Sequence, residues 1–514
     1  MKKILFISII LLAVLMSCTD LDVEVYHDIV SENFFKTELQ VLTAAGPAYT
    51  NLKGYVKPEG VYGLNELTTD ELLIPTRGSH WDNAGIYRRF HKHEWTIEEG
   101  DINAAWSYVY TGVSSCNRII YIYEQVEEKT EALLSVSNEL KTVRAFYLYV
   151  GLDLFGNIPI VYSYDVPEEY APANNTSIEV FDFIESEITE GITLLNNAND
   201  ISTYGRINRY GAYTLLAKLY LNAEVFTGES MWDETIEACD SVIESGRYSL
   251  NEDYYANFSF DNETQTVENI FVIPFDDIEA PDWGGPGMFQ LNLWTMHFSS
   301  APTYNMSSGG WNGMCAVPSF YRSYDENDIR RAQWLVGVQY GASGEVLYCT
   351  QERNGDTLNF TVDLTSLEVS YENEGARWAK YDYTDATNSQ LRNDFVVFRY
   401  TDVLLMKAEA LMRKNGGAAT AEAVDLVNQI RARAFPDDAS KLYTTSTLTL
   451  DELLAERGRE FAGENLRRND LIRFGKYNDP TDFRPVAAAD HYNLFPIPSD
   501  QISTNPNLTQ NPGY

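Results

Sequence analysis

Two stretches of this chain hold the residue types that grip a ring-shaped, hydroxyl-rich molecule. In "RGSHWDNAG", Trp81 lies in a polar, glycine-containing loop beside Arg77, Asp82 and Asn83. In "PDWGGPGMFQLNLWTMHFSSAPTYNMSSGGWNG", Trp283, Trp294, Tyr304 and Trp311 are interleaved with Asn292, Asn305 and Asn312. The flat C–H face of a sugar packs on an aromatic ring, while its hydroxyls need amide, carboxylate or guanidinium partners. Glycines beside Trp283 and Trp311 would let a ligand approach the backbone. The candidate binding residues are Trp81, Asp82, Asn83, Trp283, Tyr304 and Trp311. Trp294, in the run "LNLWTMHF", reads as core; Trp106 and Trp232 fall on helical stripes and read as packing.

Bond-breaking chemistry finds no comparable signal. A glycosidase needs an acid–carboxylate pair about 5–9.5 Å apart, and no local motif singles one out among 75 acidic residues. The chain has no G-x-S-x-G elbow, no phosphate loop and no βα repeat, so it is read as a non-enzyme that needs no cofactor. In "HKHE", His91 and His93 would share one strand face beside Glu94, but zinc needs three or four ligands. His80, His297 and His491 could supply the rest only if folding happened to bring them there, so no metal is assigned and the pair reads as polar loop histidines ahead of Trp95. "YDENDIRR" reads as a helix N-cap with acids in the first turn. In "ERGREFAGENLRRND", Glu456 stands three before Arg459 and Glu464 four before Arg468, the spacing of helix-face ion pairs.

The elements that must carry these loops read as paired helices. In "RYGAYTLLAKLYLNAEVF", Ala212, Leu216, Leu219, Tyr220 and Ala223 recur at helical spacing, followed after "TGES" by Trp232, Ile236, Cys239 and Ile243, with Gly246 at a C-cap. Leu404, Leu405, Ala408, Leu411 and Met412 face Ala423, Val427, Ile430 and Ala434 across a Gly416–Gly417 turn. Two earlier pairs are expected, 36–52 with 103–126 and 139–154 with 178–195. Such helix–turn–helix units are the physics of a tetratricopeptide repeat. The fold class is mainly α: tetratricopeptide-like helix pairs forming a scaffold. A large irregular insertion from about 250 to 400, with short β-like pieces "NIFVIPF" and "FVVFRY", carries the binding face.

The N-terminus supplies an address. Lys2 and Lys3 precede a thirteen-residue apolar run, Ile4 to Met16, too short for a bilayer that needs roughly 20 residues. The run ends "LMSC", which resembles a bacterial lipobox with Cys18 as the lipidated residue. Residues 1–17 are expected to be a lipoprotein signal peptide and 18–514 a single domain. Asp20, Asp22 and Glu24 follow, resembling the export signal of surface-exposed lipoproteins. The formal charge is −37, which makes nucleic acid a poor partner. Tyr, Phe and Trp number 34, 24 and 9; most of these rings must be core, and the remainder suit a neutral ligand that stacks on rings. Of the four remaining cysteines, Cys116 and Cys239 read as buried thiols among apolar neighbours, while the pairing state of Cys315 and Cys349 stays open.

Taken in order, five segments resemble the SusD-like (RagB/SusD) family of outer-membrane glycan-binding lipoproteins. They are "TTDELLIPTRGSHWDNAGIYRRFHKHEWT", "RAFYLYVGLDLFGNIPIV", "NRYGAYTLLAKLYLNAEVFTG", "RGREFAGENLRRNDLIRFGKY" and "LFPIPSDQISTNPNLTQNPGY". Asn465 and Asn469 depart from the aromatic or His that many relatives carry nearby. The resemblance implies oligo- or polysaccharide capture at the cell surface and delivery to a partner SusC-like TonB-dependent transporter, with no chemistry on the ligand. It also implies outer-membrane anchoring through the lipid on Cys18, and aromatics of the two loops forming a sugar-binding arc. The alternative is a helical-repeat lipoprotein that binds peptide or other non-glycan cargo; exposed Trp81 and Trp283 would favour sugar.

Overall fold

The computed structural model describes residues 35, 37–276, 288–306, 308–384 and 391–514. The leader, Cys18 and Trp283 lie outside the described residues. Helix α1 (Glu38–Thr50) opens on a reciprocal cap, Thr37 accepting from the Gln40 N–H and the Gln40 side chain accepting from the Thr37 N–H. It lies across α2 (Gly100–Glu124) and α3 (Glu131–Phe155). Helix α4 (Ser177–Thr189) starts on a second such box, Thr176 with Glu179. Helices α5 (Arg209–Leu221) and α6 (Trp232–Ile243) follow, and Gly246 ends the latter at φ 62°.

The expected pairing of 139–154 with 178–195 is present as α3 against α4. The expected partnership of 36–52 with 103–126 is only part of the contact, because the main partner of α2 is α3. Small residues decide this. A Cβ on Gly112 would fall 2.4 Å from the Tyr147 ring and one on Gly151 3.1 Å from Val109, so these two helices approach closer than side chains elsewhere would allow. Helices α7 (Tyr400–Lys414) and α8 (Ala421–Ala434) pack as read, across Gly416 and Gly417 at φ 67° and 89°. Trp106 is buried, and Trp232 sits under the Arg413 guanidinium, both in packing roles. The fold is mainly α, a scaffold of tetratricopeptide-like helix pairs. No helix among the described residues is long and apolar enough to cross a membrane.

The insertion leaves the scaffold through β1 (Asn269–Ile273) and returns through β2 (Phe395–Arg399). The two pair antiparallel, Ile273 opposite Phe395, so the two β-like pieces of the sequence form one ribbon at the neck of the insertion. Where this ribbon meets α9 (Leu450–Phe461), Arg399 binds Glu268, Glu460 and Glu464, and Arg330 binds Asp328, Glu456 and Glu460. All seven side chains are buried, a position that charges occupy only when paired. Asp328 also caps a short turn, Ile329–Gln333, by accepting the Arg330 N–H at 3.0 Å; the other acids of "YDENDIRR" precede the cap rather than fill the first turn.

The Glu456–Arg459 pair forms at 2.7 Å. The Glu464–Arg468 pair expected from spacing does not. Helix α9 ends at Phe461, Gly463 turns at φ 75°, and Glu464 reaches Arg399 and Lys380. Arg468, on α10 (Arg467–Arg473), binds Asp153 at 2.9 Å. Spacing of four places two side chains together only while the helix continues between them.

Candidate functional site

The loop after α1 is sewn to the insertion from several points. Leu72–Leu73 pairs with Cys315–Ala316. The Thr76 N–H donates to Leu367 O at 2.8 Å and the Ser370 N–H to Thr76 O at 2.9 Å. Arg77 is buried and donates to Tyr371 O at 2.6 Å and to the Cys315 thiol at 3.3 Å. It is a strut rather than a ligand contact. From this base the chain turns tightly, Arg77 and His80 exchanging backbone hydrogen bonds. Trp81, Asn83 and Ala84 then take φ of 63°, 38° and 51°, a region costly for residues with a Cβ and held only where surroundings over-determine it.

What holds Trp81 is the second loop. Its indole N–H donates to Trp311 O at 2.6 Å. Its ring meets Trp294 edge-on at 4.9 Å and Tyr87 at 5.8 Å. Gly313 makes room for it, since a Cβ there would lie 2.5 Å from the indole. The "GGWNG" segment is itself pinned: Asn312 N–H donates to Met296 O at 2.8 Å, and the Asn312 side chain, buried, donates to Glu372 O and accepts from Arg377. Gly309 and Gly310 press so closely on the carbonyls of Phe298 and Met296 that a Cβ would overlap them. This rigid turn leaves Trp311 42 % exposed.

The result is an open cleft of about 410 Å³. Trp81, Asn83 and Trp311, named from the sequence, line it together with Trp294, which is also core as expected. Glu59, His80, Tyr87 and Phe298 line it too and were not singled out by the sequence. The signal available for Tyr87 was its place four residues after Asn83; Glu59 and Phe298 carried none, because they come from other turns. Asp82 is close by but exposed and bound to Arg88 at 3.0 Å. Tyr304 does not line the cleft. It sits on the short helix Ala301–Tyr304, half-buried, its ring edge-on to Tyr383 at 6.5 Å, and burial pushes its hydroxyl pKa up. Asn292 is buried against Met306, so of the loop amides only Asn83 lines the cleft.

"HKHE" is not a strand and its histidines are not loop residues. His91 lies in the helix Ile86–Lys92 and His93 caps it with φ 54°. Both are buried, His91 against Asp482 O at 2.7 Å and His93 between Thr68 O and the Asn478 side chain. Burial lowers their pKa values to about 4 and about 3, so both are neutral packing groups. Among the described residues no cluster of three His, Cys, Asp or Glu side chains could hold a metal. Cys116, Cys239, Cys315 and Cys349 are free and buried; burial pushes the Cys116 thiol up to about 12, which leaves it unreactive.

Comparison with known proteins follows this architecture. The SusD family model matches residues 268–514, and a second, described as starch-binding and associating with the outer membrane, matches 37–221. This chain belongs to the SusD-like family. It is 26% identical to the starch-binding protein SusD of Bacteroides thetaiotaomicron, over 88% of this chain and 85% of that protein. It is 27% identical to the SusD-like protein P2 of Formosa agariphila, over 100% of both chains. Among solved structures it resembles surface glycan-binding protein A from Bacteroides thetaiotaomicron in complex with laminarihexaose, with TM-score 0.73, 22% identity and coverage of 92% of this chain and 99% of that one.

Proposed function

We propose that this protein captures oligo- or polysaccharide at the cell surface and passes it to a SusC-like TonB-dependent transporter without breaking a bond. The observation that carries the reading is the half-exposed face of Trp311 set beside Trp81 in an open cleft. A ring held by a rigid turn loses little entropy when a sugar stacks on it, and an open cleft accepts the middle of a long chain. Family membership adds support, since relatives are described as binding starch and laminarihexaose. In this reading residues 1–17 are a signal peptide, Cys18 carries the lipid that holds the protein on the outer membrane, and 18–514 work as one domain. Trp283 contributes a further ring, and Asp82 and Asn83 supply polar partners.

The experiment is affinity electrophoresis of the soluble chain begun at Thr19 through gels containing starch, laminarin and other polysaccharides, with each mixture assayed for new reducing ends. Retardation by one of them, lost in Trp311→Ala and without new reducing ends, is the expected result. No retardation by any glycan would favour the peptide-cargo alternative, and new reducing ends would make the protein an enzyme.

A further inference from the structure

Two carboxylates near the cleft each have an oxygen sealed from solvent with no hydrogen-bond donor. Glu59 lines the cleft, and its Oε2 is sealed from solvent without a hydrogen-bond donor. Asp101, in the first turn of α2, likewise has Oδ2 sealed and undonated. The two segments are packed together: a Cβ on Gly60 would touch the Ala104 side chain at 3.9 Å and the Ala105 nitrogen at 4.0 Å. Neighbouring cations compensate them only in part. Arg88 is taken by Asp82 and Arg89 by Glu99 at 2.6 Å. Lys57 offsets Asp101 only in part, and burial, Glu59 and Glu99 together push its carboxyl up to about 7. Asp101 and Glu59 also act on the Tyr87 hydroxyl, which stands at the cleft and has its pKa raised by burial and by both acids.

Uncompensated charge beside aromatic walls acts over a longer reach than the same charge in water, because the rings exclude the solvent that would screen it. We propose that Glu59, backed by Asp101, is a charge filter for the aromatic cleft: it admits uncharged, hydroxyl-rich sugars and rejects glycans bearing carboxylate or sulfate groups over Trp81 and Trp311. The inference rests on the glycan-capture reading of the same cleft and adds which glycans fit. The pair is not read as a catalytic dyad, because Asp101 does not line the cleft and a glycosidase needs both carboxylates at the bond. Sugar hydroxyls donate to the open edge of Glu59, whereas an anionic ring must bring a second negative charge against it, with Arg88 and Arg89 already engaged by Asp82 and Glu99.

The test is calorimetric titration of the chain begun at Thr19, and of its Glu59→Gln and Asp101→Asn variants, with matched neutral, uronic-acid and sulfated oligosaccharides at low and high salt. Wild type is expected to bind a neutral oligosaccharide and to discriminate against anionic ones by roughly tenfold or more at low salt, with the gap narrowing as salt screens the charge. Glu59→Gln should shrink the gap several-fold while thermal stability holds; Asp101→Asn, which removes a carboxyl already partly protonated near neutral pH and makes no contact with the ligand, should shrink it less. Wild type that prefers the anionic sugars, or a Glu59→Gln variant with an unchanged ratio, overturns the filter while leaving glycan capture standing. Binding of no sugar of any charge overturns both.

Discussion

The indole N–H of Trp81 donates to the backbone carbonyl of Trp311 at 2.6 Å, joining residues 230 apart in sequence. The bond gives the two rings different jobs. Trp81 is wedged between Trp294, Tyr87 and Gly313, whereas Trp311 offers its ring to solvent. Trp311→Ala should therefore weaken glycan binding by about tenfold and leave the melting temperature nearly unchanged. Trp81→Ala should weaken binding and also cost roughly 2–3 kcal/mol of stability. Titration and thermal melts on the two variants separate the roles; equal melting temperatures for both would contradict the assignment of Trp81 as an anchor.

Gly313→Ala tests the seat of Trp81 without touching either ring. A methyl group there meets the indole at 2.5 Å, so the ring must move and its bond to Trp311 must stretch or break. Binding should fall as far as in Trp81→Ala, with the near-ultraviolet circular dichroism of the tryptophans altered and the helical far-ultraviolet signal retained. Wild-type binding in this variant would show that the cleft does not depend on the position of Trp81.

The buried ion network at the neck of the insertion should be costly to break. Arg330→Met leaves Asp328, Glu456 and Glu460 in the core without one of their cations, at a cost of roughly 3–5 kcal/mol by denaturant unfolding. Its arginines hold Glu456 down at about 2 against burial, which raises it, and hold Glu460 lower still. Carboxylates depressed in the fold stabilise it fully above their unfolded pKa of 4.5 and lose that contribution as pH falls toward 2. Acid unfolding should thus begin below about pH 4 in wild type, and a variant already lacking Arg330 should show a shallower acid limb.

Glu71 predicts the opposite slope. It is buried, near Glu66, and burial pushes it up to about 8 although Arg467 pulls it down. The folded chain holds this proton between pH 4.5 and 8 and the unfolded chain does not, so the contribution falls as pH rises through that interval. Glu71→Gln keeps an acceptor for the Gly463 N–H and should be more stable than wild type near pH 8, by on the order of 2 kcal/mol, with little difference near pH 4. Identical pH profiles in urea melts would rule out a protonated Glu71.

Cys18→Ala tests the anchor. Wild-type protein made in cells fed labelled palmitate should carry the label and fractionate with membranes, and the variant should do neither. Label retained in the variant would place the lipid elsewhere.

Much of the scaffold was legible because helices are local. Stripes at three- and four-residue spacing, a Gly246 C-cap and a Gly416–Gly417 turn each depend on a few consecutive residues, and α5 to α8 follow from them. The buried state of Cys116 and Cys239 was legible for the same reason. Residue types in two loops likewise marked Trp81, Asn83 and Trp311 as binding candidates.

Tertiary structure alone decided what those residues do. Pairing of Leu72–Leu73 with Cys315–Ala316 brings the loops together, and no local pattern encodes contacts across more than two hundred residues. Burial is equally non-local: His91 and His93 look like polar loop residues until two distant segments, one carrying Thr68 and the other Asn478 and Asp482, close over them. Glu464 and Arg468 stand at helix spacing and part because the chain between them is not helical, Asn465 turning at φ 64° before α10 begins at Arg467. The sequence by itself determined the helices and the kinds of residue available to a ligand. Which side chains share a cleft, and which charges there go unpaired, followed from packing, because desolvation and hydrogen-bond satisfaction belong to the neighbours a residue acquires on folding.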